Sequence, residues 1–207
     1  MSPRPRTLTD EQIVMATVRA MSRLGPVKLT LAEVAREAGL SAAALVQRFG
    51  SKRALLLAVS RSAAQGMDEC FEAIRDAHPS PLDALIAAAT DMARHTKTPD
   101  EMANSLAFLQ IDVSDPEFRR PMVEMSVKTL KGYKALLDAA VDAGELRPCN
   151  TTALARAISA LSGGSLILWG VFRKGTAEAW VRADLEALLE RYRRNSGSVP
   201  ARRRKSR

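Results

Sequence analysis

The chain has 207 residues, 46% apolar and 4% aromatic, with 31 basic and 23 acidic side chains and a net charge of +8. That apolar content is enough for a packed core in one or two domains and excludes a wholly disordered chain. Read along the sequence, no run of about 18 apolar residues predicts a membrane span, and Met1-Ser2-Pro3-Arg4-Pro5-Arg6 lacks the apolar stretch of a secretory signal.

Charge is placed unevenly. Residues 1–64 hold 10 basic and 4 acidic side chains, residues 65–194 hold 16 and 19, and residues 195–207 hold 5 basic and none acidic. A basic head on a mildly acidic body suits a polyanion gripped at one end. Cys70 and Cys149 have no motif spacing, which suits a reducing cytoplasm.

In chain order, residues 1–7 read as a flexible basic arm. Thr9 then caps a helix, with Gln12 at the capping-box position and Leu8 and Ile13 as a staple. Its apolar positions Ile13, Ala16, Ala20, Met21 and Leu24 keep helical spacing until Gly25-Pro26. Thr30 opens a second helix with Glu33 as capping-box partner, and Val34, Ala35 and Ala38 share one face. Gly39 ends it, Leu40 points inward, and Ser41 caps a third helix in which Leu45 and Phe49 face the core. Ala42, Ala43, Val46, Gln47 and Arg48 are left on the outer side. Two short helices joined by a tight glycine turn match the unit that enters a DNA major groove, and by themselves equally an ordinary helical hairpin with no nucleic-acid role. Ser51 caps a fourth, longer helix beginning at Lys52.

This order of helix, hairpin and Phe49-Gly50-Ser51-Lys52 resembles the DNA-binding domain of the TetR family of transcriptional regulators over about residues 8–65. The carrying residues are Leu29-Thr30-Leu31, Val34-Ala35, Ala38-Gly39-Leu40-Ser41, Leu45, Phe49 to Lys52, and Ala54-Leu55. The resemblance implies base contacts from Ala42, Ala43, Gln47 and Arg48, and phosphate contacts from Thr30, Ser41 and Lys52. Arg pairs bidentately with guanine and Gln with adenine, and alanine methyls can meet thymine methyls.

Residues 66–194 read as a second helical domain. Ser80-Pro81, Thr98-Pro99-Asp100-Glu101 and Ser114-Asp115-Pro116-Glu117 are helix starts, with Pro121 expected to kink or restart the third. Helices from about Thr152 to Phe172 and from Gly175-Thr176 onward close the domain, and no strand signal is present. Residues 195–207 read as a disordered basic tail. The expected fold is all-α: a three-helix helix-turn-helix head plus a helical ligand-binding and dimerisation body.

By the resemblance, the last two helices pair with their twins in a homodimer. Leu154, Ile158, Leu161 and Ser165 are the expected interface positions on the first, and Trp180, Leu185 and Leu188 on the second. An effector cavity is expected among Leu85, Ala88, Ala89, Met92, Met102 and Leu106, continuing through Leu109, Met122, Met125, Tyr133 and Trp169. Gln110, Asp112 and Thr129 are the polar groups placed to orient a ligand there. His78 and His95 sit in no metal-ligand pattern, and no nucleophile elbow, phosphate loop or dinucleotide fingerprint occurs. The expected function is thus not catalytic, and no metal or cofactor is called for. The expectation is a cytoplasmic regulator, most often a repressor in that family, released from a palindromic operator by a small, mostly apolar effector. The alternative is a helical dimeric interaction module without specific operator binding.

Overall fold

A computed structural model describes residues 8–194, which form ten α-helices, with no β-strand among the described residues. The basic arm and tail lie outside them. One isolated antiparallel bridge joins Leu146 to Arg193 near the end of the last helix.

The head comprises α1 (Asp10–Lys28), α2 (Leu31–Ala38), α3 (Ala42–Phe49) and α4 (Lys52–Gln65). The start of α1 is a true capping box: Thr9 Oγ1 accepts from the Gln12 amide at 3.2 Å, and Gln12 Oε1 accepts from the Thr9 amide at 3.0 Å. Near its end Gly25 takes φ 73°, a left-handed conformation that reorients the chain before Pro26. A side chain there would collide with Asn104 of α7. The Asn104 amide instead donates to the Ser22 carbonyl at 2.7 Å, fastening the end of α1 to the body.

The body comprises α5 (Met67–Ala77), α6 (Pro81–His95), α7 (Pro99–Ser114), α8 (Pro116–Asp142), α9 (Thr151–Phe172) and α10 (Ala177–Glu190). Ser80 and Thr98 cap α6 and α7 as their Ser-Pro and Thr-Pro pairs predict. At α8 the cap is Asp115, directly before Pro116. Pro121 neither kinks nor restarts α8, which is continuous from Pro116 to Asp142. A proline in the second turn loses only the amide that would reach the Glu117 carbonyl, and the buried ring adds packing. Helix α5 carries Met67, Cys70, Phe71 and Ile74 at helical spacing but has no side-chain cap at Gly66, and only Phe71 is buried. That ring packs on Gly132 of α8, where a Cβ would strike it, and meets Tyr133 edge-on at 5.8 Å.

Two apolar cores result. The body core gathers Leu85, Leu136, Leu137, Ile158, Leu185 and Leu189. The head core gathers Ile13, Leu29, Val34, Leu45 and Leu55. The head core also takes in Phe118, the third residue of α8, with Phe108 and Ile111 of α7 packed against it. The two units are therefore joined by shared apolar packing.

Helix α9 corrects the membrane expectation in part. It is long and apolar enough to cross a membrane by length and composition, with mean hydropathy 1.4 over its most apolar 18 residues, yet only 33% of that window is buried. The sequence reading missed it because Arg156, serines and glycines interrupt the apolar run without lowering its mean much.

Because Phe118 is 2% exposed inside the head core, Phe118→Ala is expected to destabilise the protein by about 3–5 kcal/mol. Denaturant unfolding measures this, and a loss under about 1 kcal/mol would show that the shared packing is not what joins head to body.

Candidate nucleic-acid interface and body interior

The head presents capped helix starts. Thr30 Oγ1 accepts from the Glu33 amide at 3.2 Å, Ser41 Oγ from Ala44 at 3.1 Å, and Ser51 Oγ from Ala54 at 3.1 Å. Each hydroxyl keeps its own proton for an outside acceptor, and each helix start carries unpaired amides and a partial positive charge. The expected capping box at Thr30 is only half formed, because the Glu33 carboxylate pairs with Arg36 instead.

On α3, Leu45 is fully buried, while Ala43, Val46, Gln47 and Arg48 are exposed. Ala42 is half-buried and packs on the head core, so its methyl is less available than the sequence suggested. Phe49 packs on the same core. Arg48 is exposed but not free: its guanidinium pairs with Asp10 and donates to the Leu8 carbonyl at 2.5 Å. Gln47 makes no hydrogen bond among the described residues. Lys52 is half-buried at the start of α4 and has no ion-pair partner among them. The surface offers an amide side chain, small methyls, Val46 and one uncommitted lysine to an incoming ligand.

Next to Lys52, Arg53 points to the body. It pairs with Asp115 at 2.7 Å and with Glu117, and lies 5.3 Å from the centre of the Phe118 ring. These contacts hold the Asp115 carboxyl below its usual range. No local sequence signal marks this clasp, since its partners lie more than sixty residues apart.

In the body, Leu85, Ala89, Met102, Tyr133 and Trp169 belong to the packed core, and Ala88, Leu106, Met122 and Met125 are half-buried. Met92, Leu109 and Gln110 are exposed, so the structure removes them from any enclosed cavity. Two shallow clefts lie elsewhere. One of about 360 Å3 runs between α1 and α2 beside Met15, Arg19 and Glu37, and one of about 330 Å3 lies beside Lys174, Trp180 and Asp184. Asp112 does lie inside. It is 8% exposed, and its Oδ1 is buried with no hydrogen-bond partner. Burial pushes its carboxyl up to about 6, only partly opposed by the Ser60 hydroxyl of α4.

The interface positions divide. Leu154, Ile158, Ser165 and Leu185 are buried in the protomer's own core, and Ser165 Oγ donates to Asp184 at 2.5 Å. They cannot be the residues left open for a twin. Leu161, Trp180 and Leu188 are half-buried. The open apolar residues of α9 are Ile167, Leu168, Val171 and Phe172, the last stacked on Trp180 at 5.4 Å. A Cβ at Gly163 or Gly164 would meet nothing within 4 Å, so no part of the protomer uses that closeness. Among the described residues no cluster of ligating side chains could hold a metal.

Residues 13–59 match the sequence family described as "Bacterial regulatory proteins, tetR family". The match spans the helix-turn-helix of the head. It is 31% identical over 134 residues to the HTH-type transcriptional regulator BetI of Agrobacterium fabrum, a match covering 63% of this chain and 64% of that protein. The likeness in fold extends through the body. A putative transcriptional regulator from Saccharomonospora viridis, in complex with choline, superposes with TM-score 0.69 at 19% identity, covering 87% of this chain and 95% of its own. The regulator FadR from Bacillus subtilis, in complex with stearoyl-CoA, gives TM-score 0.62 at 17% identity, with 87% and 97% covered.

Asp112 generates a pH prediction. Its folded value of about 6 lies above the ordinary 3.8, so ionisation opposes folding: the cost is absent below about 4 and complete above about 6. Asp112→Asn is therefore expected to melt above wild type at pH 8, with the gap closing between pH 6 and 4. Melting curves across that range measure it; an equal gap at pH 8 and pH 4 would contradict the burial argument.

Proposed function

We propose that the chain is a cytoplasmic, homodimeric transcriptional regulator, acting as a repressor that reads a palindromic operator through α3 and releases it when a small organic effector enters the body. The observation that carries this is the exposed face of α3, where, among the described residues, Gln47 and Val46 are uncommitted and Lys52 is unpaired at the next helix start. Gln47 reads a base edge, Ala43 and Val46 offer apolar contact to thymine methyls, and Lys52 with the Thr30 and Ser41 hydroxyls holds phosphates. Arg48 joins the reading set only by exchanging Asp10 for a guanine.

The twin is proposed to pack on the outer face of α9. Ile167, Leu168, Val171 and Phe172 lie open there, and Gly163 and Gly164 allow a second helix to come close. Leu161, Trp180 and Leu188 stand at its edge. A dimer gives two reading heads for two half-sites. The ligands of the two structural neighbours, choline and stearoyl-CoA, are organic molecules of very different polarity, which supports an organic effector without fixing its class.

Selection of bound DNA from a random pool tests the reading. Against the selected site, Gln47→Ala is expected to cost about 1–3 kcal/mol and to relax one base pair. Lys52→Ala is expected to weaken all sequences alike and reduce the salt slope by about one. If no sequence is enriched, the helical interaction module is the better reading.

Leu168→Glu with Val171→Glu is expected to give monomers with weakened operator binding, since charge would enter a desolvated seam. Sedimentation decides: wild type running as a monomer at micromolar concentration would remove the α9 interface.

A further inference from the structure

Asp112 is a buried carboxylate with no counter-charge. Among the described residues no ion pair involves it, Oδ1 has no hydrogen-bond partner, and the one side chain acting on it is the neutral Ser60 hydroxyl. An isolated carboxylate in a protein interior is costly to keep ionised and is normally compensated by a cation or several donors. One carboxylate is too few ligands for calcium or magnesium, which take six or more oxygens, and among the described residues there is no ligating cluster. An organic cation needs only one carboxylate and an apolar surround.

We propose that Asp112 anchors the positively charged group of the effector, an ammonium or amine entering between α4 and α7. This rests on the regulator reading above and names the ligand class that reading leaves open. It replaces the expectation of a mostly apolar, uncharged effector. A cation here recovers the electrostatic cost of the buried carboxylate, whereas a neutral molecule of the same shape does not.

The position also links binding to the head. Ser60 lies eight residues beyond Lys52 on the same helix, about 12 Å along its axis. Phe108 and Ile111, one turn and one residue before Asp112, pack against the head core. A cation seated between Ser60 and Asp112 displaces α4 relative to α7. It acts on Lys52 through a rigid helix and strains the Arg53 clasp to Asp115 and Glu117. Ligand and operator then favour different arrangements, which is the requirement for one to release the other.

The test uses the full chain at pH 8 and matched ionic strength, with wild type and Asp112→Asn. The probes are tetramethylammonium, choline and 3,3-dimethylbutanol, the uncharged carbon counterpart of choline. Melting shifts and calorimetric titration are the readouts. Wild type is expected to be stabilised by both cations and to bind the alcohol at least tenfold more weakly. Asp112→Asn is expected to lose at least tenfold in cation affinity while still binding the selected DNA. No response of wild type to either cation, an equal response to the alcohol, or unchanged cation binding by Asp112→Asn would each overturn the proposal. Should that variant not fold, the comparison of cation with alcohol on wild type decides alone. DNA binding without cation binding sinks this inference and leaves the regulator reading; cation binding without DNA binding does the reverse.

Discussion

The contact on which the rest of the structure depends is Phe118 of α8 buried in the core of the head. A helix-turn-helix of short helices has little apolar surface of its own: α2 and α3 have 8 residues each and bury few side chains. The head completes its core by borrowing a ring from the body, with Phe108 crossing it edge-on at 6.2 Å. Arg53 covers the outer side of that ring while pairing with the acids at the start of α8. Since exposed ion pairs alone contribute little, the aromatic packing holds the joint and the charges fix its geometry.

This joint has a mechanical consequence. The start of α4 is gripped at Arg53, the end of α1 is fastened through Asn104 to Ser22, and Asp112 sits on the helix between Asn104 and the α8 cap. Helix α7 thus touches the head at Asn104 and again at Phe108 and Ile111 toward its C-terminal end. A displacement of α7 cannot be absorbed by the body alone, because Phe108 and Ile111 carry it into the head core. Low stability is not needed for such a response. Under the proposed function it would need two arrangements of one packed seam, with the ligand choosing between them.

The head was legible in the sequence because its signals are local. Thr9 with Gln12, Ser41, Gly39 and Leu45 each fix a cap, a turn or a buried face within four residues of themselves. Where local reading failed, long-range contacts intervened. Arg48 sits on the exposed face as its position dictates, but Asp10, distant in sequence, occupies its guanidinium. In the body, period 3.6 identifies apolar faces without saying which faces meet their own core. Helix α9 is apolar nearly all round, so Ile158 and Leu168 look alike in sequence; one is fully buried and the other 50% exposed. The expected interface fell on the inner face for that reason. Helix α5 has apolar residues at helical spacing but no capping side chain at Gly66 to mark its start, and its contact of Phe71 with Gly132 lies in no window of sequence.

The same ambiguity explains why α9 has the composition of a membrane span. A helix that packs on α8 and α10 along one face and, as proposed, on a twin along the other would have to be apolar on both. Its glycines argue further for the twin. Within the protomer, Gly132 and Gly25 each lie against a neighbour that leaves no room for a side chain, whereas Gly163 and Gly164 face open space. Glycine inside a helix costs about 0.5–1 kcal/mol relative to alanine. Two in succession on an exposed face gain nothing from the isolated chain, and close approach of a second helix is the contact that would make use of them.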